Sequence, residues 1–185
     1  MKVYTEKEKL IKELRRKIKN ADSFIIGIDG FLSSGKSELA KYITKELDLN
    51  SYDWDTLLLR QNDKREYYFE TKNLFDILKK DKKLVIEIVM IQKLFDILKI
   101  NPAIKIYTKI TTEDNVWINK TNQQISDIKL IENNGLPRVD EFPFTHEEQI
   151  INYHKKYSPH RKSDYIFKKQ VTSKLDTFRY IYIGN

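Results

Sequence analysis

The stretch Gly30-Phe31-Leu32-Ser33-Ser34-Gly35-Lys36-Ser37 constrains this chain more than any other. It is a complete G-x-x-x-x-G-K-S loop, and each residue type has a physical task in holding a phosphate chain. Gly30 and Gly35 allow positive φ and let backbone amides approach phosphate oxygens closely. The amides of Ser33, Ser34 and Gly35, with the start of the helix that follows, attract an anion. Lys36 supplies a point charge for the β- and γ-phosphates, and Ser37 offers a hydroxyl to Mg²⁺. The flanks agree with this reading. Ser23-Phe24-Ile25-Ile26-Gly27-Ile28 is an apolar, β-branched run suited to a strand buried on both faces, and 36–47 carries a helical pattern.

Strand and helix patterns alternate along the rest of the chain. Strands are predicted at 49–54, 84–89, 103–110, 165–167 and 180–183. Helices are predicted at 6–20, 67–80, 91–98 and 36–47, with 112–133 mostly helical. A last helix is predicted towards Tyr157, opened by a Thr145/Glu148 capping box. Such alternation implies βαβ crossovers and a parallel sheet covered by helices on both faces. Ligands in such sheets sit beyond the carboxyl ends of the strands. The expected organisation is one α/β domain over 1–185. Residues 1–20 form an N-terminal amphipathic helix, and about 112–160 a helical, lid-like region.

Composition removes several classes. There is no cysteine, so disulfides and thiolate chemistry are excluded, and three histidines make a His-rich metal centre a poor expectation. No uninterrupted apolar run of ~18 residues exists, and the first twenty residues are too charged for a secretory signal. A cytoplasmic protein without a membrane partner is expected. The net charge of +7 comes from 34 Lys and Arg against 27 Asp and Glu. The lysines are dispersed, so a phosphorylated small molecule is a better expectation than nucleic acid.

Gly27-Ile28-Asp29-Gly30 running into Ser34-Gly35-Lys36-Ser37 resembles the opening of the uridine kinase-like and phosphoribulokinase-like P-loop kinases. Further elements fall in the family's order. Asp53-Trp54-Asp55-Thr56-Leu57-Leu58 resembles its Asp-rich second strand end. Tyr67-Tyr68-Phe69 with Phe75-Asp76 resembles an aromatic run of short bacterial members. Ile86-Glu87-Ile88 resembles its I-E-G strand end, and Tyr153 to Tyr157 with Pro159 and Ser163-Asp164-Tyr165-Ile166 its closing element. The resemblance implies a three-layer P-loop kinase fold. It implies ATP (or GTP) and Mg²⁺ as cofactors, and phosphoryl transfer to the hydroxyl of a nucleoside or comparable small molecule.

Candidate roles follow for individual residues. Asp55, or Asp53 two residues away on the same side of an extended chain, would orient or deprotonate the acceptor. Glu87, an acid in an otherwise apolar strand, would hold Mg²⁺ with Ser37. Tyr67 and Tyr68 would stack on the acceptor. Arg161, in the cluster His154, Lys155, Lys156, His160, Arg161 and Lys162, would clamp the phosphates.

The chain departs from the pattern in three places. Glu87 is followed by Ile88 rather than glycine. Phe75-Asp76-Ile77-Leu78 leads through Asp81-Lys82-Lys83 straight into the next strand, so the family's nucleoside-binding hairpin is expected to be absent there. Arg138 is the single arginine between Ile110 and Phe144. Weak or broad nucleoside selectivity is therefore expected. A nucleotide-binding protein without kinase activity, and a kinase for another metabolite or a macromolecule, stand as alternatives.

Overall fold

The computed structural model describes residues 1–31, 34–53, 58–60, 67–69, 71–102, 104–111, 117–118 and 145–170. Within them, strands β1 (Lys2–Tyr4), β2 (Phe24–Gly30), β3 (Asn50–Tyr52), β4 (Leu58–Arg60), β5 (Tyr67–Phe69), β6 (Lys83–Glu87), β7 (Ile104–Thr111), β8 (Trp117–Ile118) and β9 (Tyr165–Gln170) alternate with helices. The helices are α1 (Lys7–Ile18), α2 (Lys36–Leu47), α3 (Thr71–Lys80), α4 (Ile91–Leu98), α5 (Thr145–Tyr157) and the short α6 (Pro159–Lys162).

The main sheet has the order β1-β9-β7-β2-β6-β3, with β8 attached to β7. Every pairing along that order is parallel. β2 is central: Ile28 lies beside Glu87 of β6, and Gly30 beside Thr108 of β7. Its alternate residues feed two helical layers, as the strand period of two requires. Phe24, Ile26 and Ile28 pack with Leu10, Ile11 and Leu14 of α1 and Leu39, Ala40 and Ile43 of α2. Ile25 faces the other layer, where Leu74 of α3 meets Ile91, Leu94, Phe95 and Leu98 of α4. Ile150 and Tyr153 of α5 join Phe31, Val89, Met90 and Tyr107 in a third cluster. The result is the expected three-layer α/β arrangement. Among the described residues, no helix is long and apolar enough to cross a membrane.

Three local expectations are corrected. Tyr67–Phe69 is a strand rather than the first turn of a helix, and it pairs antiparallel with Leu58–Arg60. Consecutive aromatics favour extended backbone, and the helix begins only at Thr71. Trp117–Ile118, expected within a helix, pairs antiparallel with Ile110 and Thr111. β2 ends at Gly30, opposite Thr108, which leaves the last residues of β7 open on that side. Lys2–Tyr4, expected within the N-terminal helix of 1–20, instead adds a parallel edge strand to β9, and the helix begins at Lys7.

The direct passage from α3 to β6 is as expected, though the β4–β5 pair is a hairpin that was not. The turn after α3 is stitched to β3: the Asp81 carboxylate accepts hydrogen bonds from the Tyr52 hydroxyl and, at 3.1 Å, from Asn50 Nδ2. The expected strand at 180–183, the rest of the lid-like region, and the side chains of the Thr145/Glu148 pair lie outside the described residues.

Candidate nucleotide site at the carboxyl end of β2

The chain leaves the sheet at Asp29 and Gly30, where space is tightest. A Cβ on Gly30 would stand 2.2 Å from Thr108 Oγ1 and 2.4 Å from Ser34 Oγ, so no larger residue fits. The same closeness lets the Thr108 hydroxyl donate to the Asp29 carbonyl at 3.0 Å. Ser34 Oγ lies 2.6 Å from Thr108 Oγ1 and completes the chain of hydroxyls as the donor. The loop is thereby anchored to β7. Gly35 caps α2 at φ 85° and ψ 18°, with no side chain bonded to the helix end. The first amides of α2 have no carbonyl one turn earlier to pair with, so the helix opens with donors and a partial positive charge.

Lys36 is buried in the first turn of α2, and its Nζ donates to the Phe31 carbonyl at 2.8 Å. Burial pushes its ammonium down to about 8, against the attraction of Glu87 and Asp29. Glu87 is 5% exposed at the end of β6. Asp29 is 1% exposed, and burial raises its carboxyl to about 7. That rise is opposed by the Tyr153 hydroxyl, the amides of Gly30 and Met90, and the charge of Lys36. Gly30 N donates to Asp29 Oδ1 at 2.7 Å, and the Tyr153 hydroxyl donates to Oδ2. Tyr153 also accepts from the Gln92 amide at 3.3 Å. Asp29 therefore ties the phosphate loop to α5 and to the turn after β6.

A second contact from α5 supports the loop from below. The His154 ring stacks on Phe31 with centroids 3.9 Å apart and an interplanar angle of 10°. His154 Nδ1 lies 2.8 Å from the Ile150 carbonyl, and Nε2 lies 3.0 Å from the Tyr107 hydroxyl. The carbonyl can only accept, so Nδ1 carries the proton and Nε2 accepts from Tyr107. Burial holds this imidazole down to about 4.

The structure thus brings together Gly30, Ser34, Gly35, Lys36, Ser37 and Glu87. Ser37 is exposed on the first turn of α2, as a metal-binding hydroxyl would need to be. Asp53 is exposed just beyond β3, whose Tyr52 pairs with Ile86, so it stands at the strand end next to that of Glu87. Ser33, Asp55 and the side chains of Tyr67 and Tyr68 lie outside the described residues. Arg161 is exposed on α6, outside the hydrogen-bonded group around Asp29 and Lys36.

Sequence reasoning gave no role to Asp29, Thr108, Tyr107 or Tyr153, and it counted His154 in a phosphate-clamping cluster, whereas burial against Phe31 and Tyr107 makes its ring a support for the loop. Only Asp29 left a trace: it is an acid inside an apolar run, which needs a partner when buried. The others reach the loop through tertiary packing.

These groups fit a phosphate chain with its cation. The loop is open at Gly35, where a Cβ would meet only Lys169 Cδ at 3.9 Å, and amide donors follow at the helix start. A buried ammonium rests on a neutral carbonyl, and an exposed hydroxyl and a buried carboxylate stand close by.

No family model matches the chain, and no curated protein matches it by sequence. Solved structures do. A possible uridine kinase from Bacillus stearothermophilus superposes with a TM-score of 0.52 at 15% identity, over 86% of this chain and 98% of that one. A protein from a Silicibacter species, provisionally named a fructose transport system kinase, gives 0.48 at 10% identity over 89% of this chain and 100% of its own. An uncharacterized protein from Eubacterium ventriosum gives 0.38 at 19% identity over 85% and 98%. The chain shares the three-layer α/β fold, with its parallel sheet, of the possible uridine kinase. The fold is the one that the resemblance read from the opening motif implies.

Proposed function

We propose that this protein transfers the γ-phosphoryl group of ATP, with Mg²⁺, to a hydroxyl of a small molecule. The observation that carries the reading is the buried Lys36, set at the mouth of the Gly30–Ser37 loop and attracted by both Asp29 and Glu87. The loop amides and the start of α2 bind the phosphates. Lys36 Nζ exchanges the Phe31 carbonyl for a phosphate oxygen, which costs one neutral hydrogen bond and gains a charge-assisted one. Ser37 and Glu87 would hold Mg²⁺, which would supply positive charge to the transferring group. Asp55, or Asp53 just beyond β3, orients the acceptor hydroxyl and takes its proton. Tyr67 and Tyr68 stack on the acceptor, and Arg161 closes over the phosphates.

The acceptor is read as a nucleoside or another sugar-bearing alcohol, with broad selectivity. A second reading, nucleotide binding without transfer, draws on the direct α3-to-β6 turn through Asp81 and Lys82. Calorimetry with Mg-ATP and Mg-GTP tests the site. Lys36→Ala should stay folded and lose at least about tenfold in affinity, a factor equal to ~1.4 kcal/mol. Unchanged binding in the folded variant would remove the loop from the mechanism. A panel of nucleosides and other alcohols with labelled ATP then separates the two readings. If transfer occurs, Asp55→Asn should lower turnover by ~10²-fold with little effect on ATP affinity. That pattern in Asp53→Asn instead would move the base by two residues. Wild-type binding with no labelled product across the panel would favour the second reading.

A further inference from the structure

β9 carries a second lysine to the loop, at Gly35. Its residues Phe167 and Lys168 lie beside Thr108 and Lys109 of β7, so Lys169 comes two residues past the level at which the loop leaves the sheet. The Lys169 side chain crosses the glycine that caps α2: its Cδ stands 3.9 Å from where a Gly35 Cβ would be. Its Nζ lies 2.7 Å from Oε2 of Glu38, the residue after the loop's serine. Lys7 of α1 holds the other oxygen, Oε1, at 2.6 Å. Lys169 first and Lys7 second keep this carboxyl down to about 2.

The setting is cationic. Lys109 and Lys168 are cross-strand partners at the carboxyl ends of β7 and β9. Burial, and after it the charge of Lys168, holds Lys109 below its ordinary value. By the strand period of two these lysines face the side of the sheet opposite Lys169, and their charge adds to the positive potential of the strand ends only at longer range. The side chains of Lys169 and Glu38 are 34% and 51% exposed, so the pair is open to solvent and cheap to separate.

We propose that Lys169 is a second cationic ligand of the bound nucleotide, taking the phosphates next to the nucleoside, and that it is released to them from Glu38. Lys36 is placed for the far phosphates, and Lys169 stands at Gly35, over the amides that cradle the near ones. Glu38 then keeps Lys7 as its partner, so no carboxylate is left unpaired when Lys169 turns. The inference rests on reading the site as a nucleoside triphosphate site.

The test is a double-mutant cycle on Mg-ATP and Mg-ADP affinity, measured by calorimetry on the full chain. Lys169→Gln should weaken both nucleotides about equally, by ~5–20-fold, with an unchanged melting temperature, and Lys169→Arg should restore most of the loss. Glu38→Gln should tighten binding by ~2-fold or more, because the competing carboxylate is gone. That gain should vanish in the Lys169→Gln background. A merely structural ion pair would make the two single variants act in the same direction, and that result overturns the proposal. An equal Glu38→Gln gain in both backgrounds, or a Lys169→Gln loss for ATP alone, also overturns it. If wild type binds no nucleotide, the parent reading fails; if Lys36→Ala loses affinity and Lys169→Gln does not, only this inference fails.

Discussion

Gly30 shows how little freedom a single position has here. Its missing side chain is where Thr108 and Ser34 come within 2.2 and 2.4 Å of a Cβ. Gly30→Ala must push the β7 hydroxyl and backbone away, because the Thr108 carbonyl at 2.9 Å cannot rotate aside. The expected cost is about 3 kcal/mol, read as a lower denaturant midpoint with an unchanged slope. Gly35 differs, since only a flexible lysine carbon lies near and the cost of alanine comes from its φ of 85°. Gly35→Ala is expected to cost ~1 kcal/mol, less than Gly30→Ala. A reversed order would show that crowding at β7 does not govern the loop.

At the scale of elements, α5 is fastened to the loop by two contacts that respond oppositely to pH. His154 has a folded value of about 4 against an ordinary 6.5. Its contribution is present above 6.5 and is lost as pH falls towards 4. Asp29 has a folded value of about 7 against 3.8. Its contribution is present below 3.8 and is lost as pH rises towards 7. Between pH 4 and 6.5 the two slopes oppose each other. Asp29→Asn removes the compensating slope, so the variant should lose stability more steeply than wild type on acidification from pH 6.5 to 4.5. His154→Asn should lose it less steeply. Urea midpoints at the two pH values decide this, and carboxylates elsewhere, such as Glu38, cancel in the comparison. Parallel lines for all three proteins would show that neither contact titrates in this range.

The N-terminal elements matter at the same scale. Leu10 and Leu14 of α1 are 0% exposed and pack on the layer that also holds α2. Leu14→Ala is expected to cost ~2–5 kcal/mol, measured by chemical denaturation. A loss below ~1 kcal/mol would mean that α1 is only loosely applied to the sheet.

For the whole molecule, the expected consequence of the site is linkage between ligand and stability. A ligand that binds only the folded chain stabilises it by mass action, by about 2.7 kcal/mol at a hundred times its dissociation constant. Mg-ATP should therefore raise the melting temperature in proportion to the logarithm of its concentration, and Lys36→Ala should abolish most of the shift. An equal shift in both proteins would place nucleotide binding somewhere other than the loop.

Much of this molecule was legible in one dimension. The loop from Gly30 to Ser37, the strand before it, the helix after it and the α/β alternation are local patterns. Spacing, apolar periodicity and glycine chemistry are written in neighbouring residues, so α2 and α4 fall where their patterns place them, at Lys36–Leu47 and Ile91–Leu98. Glu87 was readable because a lone acid in an apolar strand needs a nearby cation, and Lys36 is there. What sequence could not decide were relations between distant residues. Tyr67–Phe69 became a strand because Leu58–Arg60 was there to pair with it, and Trp117–Ile118 because β7 outruns β2. Asp29 meets Tyr153 across 124 positions, and Lys169 meets Glu38 across 131. Short-range propensity carries no information about which partner a parallel crossover will deliver. The chain alone thus determined that the Gly30–Ser37 loop would stand at the end of a buried strand. The packing of α5 and β9 against that loop decided which acid, ring and second lysine surround it.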